Sequence, residues 1–91
     1  MTPLSLPAEL TLDRASHCAQ ALAAEAAAGS GELVVDASAL QRFDSSALAV
    51  LLQLRRSALA AGRGFSVRGL PAHARDLARL YGIDALLPEA A

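Results

Sequence analysis

The sequence predicts one small α/β domain: a mostly parallel or mixed sheet of three or four strands packed with three main helices. Three observations predict it. Segments of strand character, Leu33-Val34-Val35 and Phe65-Ser66-Val67-Arg68, alternate with long runs of helix formers. Glycine or proline punctuates the joins at Gly29, Gly31, Gly62, Gly64, Pro71 and Gly82. The order strand, helix, strand, helix, strand, helix makes two crossover units, and right-handed crossovers lay their helices against a small parallel sheet. A chain of 91 residues makes a single domain, 1–91.

Each element follows from its local pattern. Pro3 to Leu6 alternates weakly and is expected to form a short strand, with Glu9-Leu10-Thr11-Leu12 as an extended segment after it. Asp13 is the expected N-cap of a helix through Ala28, where Cys18, Leu22 and Ala26 recur at every fourth position. Gly29-Ser30-Gly31 ends that helix, glycine taking the left-handed conformation after the last turn. Leu33-Val34-Val35 is continuously apolar, the pattern of a central parallel strand buried on both faces. A second helix is expected over about 45–61. Leu48, Leu52 and Leu59 form one of its stripes, and Ala47, Val50, Leu51, Leu54 and Ala58 another. Its first half is therefore apolar nearly all round, broader than one sheet face requires. It turns polar at Gln53, Arg55, Arg56 and Ser57. Phe65-Ser66-Val67-Arg68 alternates as a strand with one wet face. Pro71 opens a last helix, about 72–81, on which Ala74, Leu77, Leu80 and Tyr81 share a face. Gly82 caps it, and Leu86-Leu87-Pro88 is expected to fold back.

Composition narrows the function. Apolar residues make up 54 % of the chain, but much of this is alanine, and only Phe43, Phe65 and Tyr81 are aromatic. That favours tight helix packing around a thin core over a roomy small-molecule pocket. Residues 1–40 set Arg14 against five acids, a net of −4, and residues 41–91 set seven arginines against four acids, a net of +3. Lysine is absent. Arginine suits bidentate pairing and interfaces, although a solvated helix face accounts for the same pattern. The balance is not globally basic and no aromatics interleave with it, so nucleic acid is not an expected partner. Cys18 stands alone, which rules out an intramolecular disulfide and fits a reducing compartment. Without a signal peptide or a long apolar stretch, no direct membrane insertion is expected and the chain reads as cytoplasmic.

Asp44-Ser45-Ser46 is the strongest functional signal. Its acid and two hydroxyls sit before an apolar helix, where backbone N–H groups are unpaired and the dipole favours negative charge. Such a spot serves as a simple cap, as a phosphoacceptor, or as a docking point for another protein. Asp36 closes the central strand at the same end as Asp44. No histidine, nucleophile–base pair or glycine-rich phosphate loop accompanies these acids, so strand-end capping is expected and catalysis is not. His17 and Cys18 are adjacent on a helix, pointing about 100° apart, and His73 is distant in sequence. No metal or cofactor is expected. Gly62-Arg63-Gly64 reads as a turn.

Taken together, Leu4-Ser5-Leu6 with Glu9-Leu10-Thr11-Leu12-Asp13, Leu33-Val34-Val35-Asp36-Ala37-Ser38, and Phe43-Asp44-Ser45-Ser46-Ala47-Leu48-Ala49-Val50-Leu51-Leu52 resemble the STAS domain family. That family includes the anti-sigma factor antagonists and the cytosolic lobes of sulfate transporters. Three later segments are most similar to the MlaB-type STAS subunit of the Mla phospholipid transporter. They are Leu51-Leu52-Gln53-Leu54, Val67-Arg68-Gly69-Leu70, and Leu77-Ala78-Arg79-Leu80-Tyr81-Gly82-Ile83 before Leu87-Pro88. The resemblance implies a non-enzymatic protein without cofactor that docks on an ABC transporter ATPase subunit (MlaF-like). It would support phospholipid movement between bacterial membranes, hence outer-membrane lipid asymmetry, and join the inner membrane peripherally through its complex.

Carried over by residue, Ser45 falls on the hydroxyl position. That position is phosphorylated in the anti-sigma antagonists and is a threonine at the ATPase contact in the transporter subunit. Ser46 falls where members carry serine or glycine. Ala47 replaces a frequent glycine, adding a methyl where a kinase or partner backbone approaches. The short N-terminus implies that the family's first strand is missing. Both departures favour plain docking over regulated phosphorylation. Ser45, Ser46, Ala49, Gln53 and Arg56 are the expected partner contacts, on the helix face turned from the sheet with the last helix beside it. The alternative is an anti-sigma factor antagonist switched by phosphorylation at Ser45, with an anti-sigma factor kinase as partner.

Overall fold

The computed structural model describes residues 4–90. Strands β1 (Leu4–Ser5), β3 (Leu33–Asp36) and β5 (Phe65–Arg68) form a three-stranded sheet in the order β1-β3-β5. Two further segments, β2 (Glu9–Leu10) and β4 (Arg42–Phe43), pair separately. All of these pairings are parallel, as crossover connections require. The helices are α1 (Leu12–Ala28), α2 (Ser46–Ala60) and α3 (Ala72–Leu80), followed by a 3-10 turn at Asp84–Leu86. Fold class and the three helices agree with the sequence reading. The two residues of β4 carry no periodic signal, and the sequence did not predict them. Pro3, and any strand preceding Leu4, lie outside the described residues.

The core lies between the main sheet and the paired helices α1 and α2. Leu6, Leu10, Val35, Val50, Leu51, Leu54, Val67 and Leu87 are fully buried there. Each such side chain contributes about 1.5–3 kcal/mol of transfer free energy. Register places Leu33 beside Phe65 and Val35 beside Val67, on the face that meets the helices. The opposite face carries Ser5, Val34, Asp36, Ser66 and Arg68. The central strand is therefore not buried on both faces: Val34 and Asp36 are half-buried. Within β5, Ser66 is buried because its hydroxyl donates to Glu32 Oε2 at 2.7 Å.

Several local expectations are corrected by tertiary contacts. Helix α1 starts at Leu12 with Thr11 as N-cap, so Asp13 sits in the first turn rather than at the cap. The reason is distant in sequence: the Leu12 N–H finds its acceptor on Asp44. The left-handed residue after α1 is Gly31 (φ 76°), whereas Gly29 is extended. Helices α2 and α3 do end on left-handed glycines. The Gly62 N–H donates to Leu59 O and the Arg63 N–H to Ala58 O. The Gly82 N–H donates to Arg79 O and the Ile83 N–H to Ala78 O. This paired pattern satisfies the last carbonyls of both helices.

On α3 the buried positions are Ala74, Arg75 and Ala78, while Leu80 and Tyr81 are 77 % and 54 % exposed. Arg75 takes the inward position because its guanidinium holds the tail, donating to Asp84 Oδ1 (2.8 Å) and Leu87 O (2.7 Å). The tail folds back as expected. The Val67 N–H donates to Pro88 O and the Ala90 N–H to Val67 O, covering the outer edge of β5. Arg63, read from sequence as part of a turn, is also buried, and it donates to Ala26 O (2.8 Å) and Gly31 O (3.0 Å) at the end of α1. Two of the arginines are thus structural pins, not members of a solvated face.

Candidate functional site: the paired starts of two helices

Asp44 organises this end of the molecule. Its Oδ1 accepts the Ser46 N–H at 2.8 Å and its Oδ2 accepts the Leu12 N–H at 3.1 Å, so one carboxylate caps α2 and α1 together. These bonds, the one from Ser46 foremost and the one from Leu12 with it, hold the carboxyl below its usual pKa. The next N–H groups are also taken, Ala47 by Asp44 O and Leu48 by Ser45 O. Capping therefore belongs to Asp44. Ser45, the N-cap residue by position, makes no side-chain capping bond and is exposed.

Helices α1 and α2 pack side by side, and their exposed flanks leave an open groove of about 290 Å³. One wall is Leu12, Ala15, Ser16 and Ala19; the other is Ser46, Ala49, Val50 and Gln53. Both walls have the spacing i, i+3, i+4, i+7, which sets four residues on one helix face. Ala19 and Val50 are buried at the base, and Leu12, Ser16, Ala49 and Gln53 are exposed at the rim. None of the eight lining side chains is ionisable. Such a groove can receive apolar side chains and offer a few hydrogen bonds, but it holds no group for proton transfer.

Of the five expected contacts, Ser46, Ala49 and Gln53 line this groove. Ser45 and Arg56 are exposed on the same flank of α2 but outside the lining. The helix beside them is α1, not the last helix; that neighbour is a correction. Sequence reasoning missed the α1 wall altogether, because Leu12 reads as extended chain when its cap lies thirty-two residues away. The recurrence of Leu12, Ala15, Ser16 and Ala19 was the available signal.

The other candidates separate from this site. Asp36 Oδ1 accepts from Ser38 Oγ (2.6 Å) and the Ser38 N–H (2.9 Å), bonds that hold its carboxyl below the usual range. It closes the turn after β3, which is the strand-end role expected of it. His17 and Cys18 line a different groove with Pro7, Glu9, Asp13 and Arg14. Burial raises the Cys18 thiol, which keeps it protonated. The His73 ring lies 5.8 Å from that of Phe43. Among the described residues no three histidine, cysteine or acidic side chains gather as a metal site, and no helix is long and apolar enough to cross a membrane.

A family model described as "Mlab, STAS domain" matches residues 2–88. The chain belongs to the STAS domain family. Among individual curated proteins, none matches the sequence. The capped helix start and its groove thus lie within a STAS domain of MlaB-like type, and the matched span includes every residue of the site.

Proposed function

We propose that this STAS domain is a non-enzymatic subunit that binds and supports the ATPase of an ABC transporter moving phospholipids between bacterial membranes. Its place is on the cytoplasmic side of the inner membrane, held there through its complex. One observation carries the reading: the exposed flank of α2 and that of α1 form a joint groove of small and apolar side chains with no ionisable group. A surface of that kind suits a protein partner better than a substrate. Ser45, Ser46, Ala49, Gln53 and Arg56 are the α2 contacts. Affinity capture of the chain co-expressed with its genomic neighbours tests this, and recovery of an ATPase is the expected result. Failure to recover one ends the proposal. Ser45→Glu is expected to weaken the complex, because it sets a second charge beside Asp44 and desolvates it on docking. Unchanged affinity removes Ser45 from the contact.

A second reading, an anti-sigma factor antagonist switched at Ser45, is favoured by one fact: the Ser45 side chain is exposed and takes no part in capping. Against it, a phosphate there meets first-turn N–H groups that are already bonded. Intact-mass measurement after incubation with a neighbouring kinase distinguishes the two.

A further inference from the structure

Two helix N-termini converge on Asp44. Each carries about half a positive charge, so the convergence is repulsive unless an anion sits between them. Asp44 is that anion, bonded to the Ser46 N–H on one side and the Leu12 N–H on the other. Leu12 is also the bulkiest apolar residue on the groove rim, with 75 % of its surface exposed. Thr11, the N-cap by position, makes no side-chain capping bond, so the carboxylate from the other wall is what holds the Leu12 backbone.

We propose that Asp44 is a positioning residue that presents Leu12 beside Ser46, so that the two walls of the groove meet a partner as one surface. Leu12 is then a partner contact on α1, additional to those on α2. This rests on the docking reading above. Each Asp44 oxygen holds one backbone N–H within the chain, which is the role assigned to it here. An asparagine at this position keeps one good acceptor, expected to stay on the nearer Ser46 N–H (2.8 Å against 3.1 Å), and turns its amide N–H₂ toward the Leu12 N–H, so it holds the start of α2 and releases that of α1.

The test measures ATPase affinity for the wild type, Leu12→Ala, Asp44→Asn and the double variant, each confirmed folded by circular dichroism. Leu12→Ala is expected to weaken binding about tenfold, as for an apolar side chain that the partner buries, and Asp44→Asn by a similar factor. If Asp44 acts through Leu12, the double variant also loses about tenfold, whereas independent residues give about a hundredfold. The hundredfold result overturns the proposal. Amide exchange of the isolated chain is read alongside. Asp44→Asn is expected to speed exchange at Leu12 while leaving the end of α2 unchanged; unaltered exchange at Leu12 likewise overturns the positioning role. A wild-type chain that captures no ATPase overturns the docking reading, and the exchange result still decides what Asp44 holds.

Discussion

The two ends of α1 are both held by charges from elsewhere in the chain, but in different surroundings. At its start, the exposed Asp44 carboxylate accepts the Leu12 N–H. At its end, Arg63, a residue only 6 % exposed, donates through its guanidinium to Ala26 O and Gly31 O. Both charges match the helix dipole, an anion at the N-terminus and a cation at the C-terminus. Water is the difference. An N–H released from Asp44 can turn to solvent, whereas the Ala26 carbonyl released from Arg63 lies in a buried place and has no such substitute. The far end of α1 is therefore fixed, and the near end can be altered by a partner or a neighbouring charge. The groove lies at the alterable end.

The largest expected effect breaks the fixed end. Arg63→Met leaves the Ala26 carbonyl unpaired in a buried place, and a stability loss of about 2–3 kcal/mol is expected in urea denaturation. Extended Gly29 packs directly beneath the guanidinium: a Cβ there would lie 2.9 Å from Arg63 Nη1. A side chain at position 29 would therefore have to displace the guanidinium. A loss below about 0.5 kcal/mol would show that water reaches the Ala26 carbonyl and that the two ends are alike.

At the alterable end the effect is smaller and depends on pH. The hydrogen bonds that lower the Asp44 carboxyl favour its charged form in the folded chain. Its stabilisation is therefore present above the unfolded pKa, about 3.9, and is lost as pH falls through the lower folded value. Asp44→Asn has no such titration. The variant is expected to be less stable than the wild type at neutral pH, with the gap closing below about pH 4. Denaturation midpoints for both chains across that range provide the measurement. A gap that stays constant would mean the caps do not depend on the charge.

The same contrast explains what was legible in the sequence. Periodicity and glycine placement carry the three helices, the parallel β3–β5 pair and the glycine-marked ends of α2 and α3, because those features are set within a few residues. The half-open second face of β3 was missed, since an apolar triplet does not say what lies across the sheet. Leu80 and Tyr81 were read as one apolar face with Ala74 and Leu77, yet both are exposed and Arg75 takes the inward position through partners at Asp84 and Leu87 that only the folded tail supplies. The site was half legible. Asp44, Ser45 and Ser46 announce a helix start locally, but the second helix bound to that carboxylate lies thirty-two residues earlier. Charged residues that pin backbone at long range leave no periodic trace; Asp44, Arg63 and Arg75 are all of this kind.

The smallest effect is expected from a charge that sits at the alterable end without pinning backbone. Arg14 lies in the first turn of α1 and pairs with Glu9 at 2.8 Å, and its side chain is two-thirds exposed. A solvent-exposed ion pair contributes about 0–1 kcal/mol. A cation in the first turn opposes the helix dipole by about 0.3–1 kcal/mol. These terms have opposite signs and similar size, so Arg14→Ala should move stability by less than about 0.5 kcal/mol in either direction. Raising the salt concentration should leave even that difference nearly unchanged, because both terms are screened together. A loss as large as that of Arg63→Met would mean that Arg14 does more than pair with Glu9, and the distinction between a pinned end and an open end of α1 would fail.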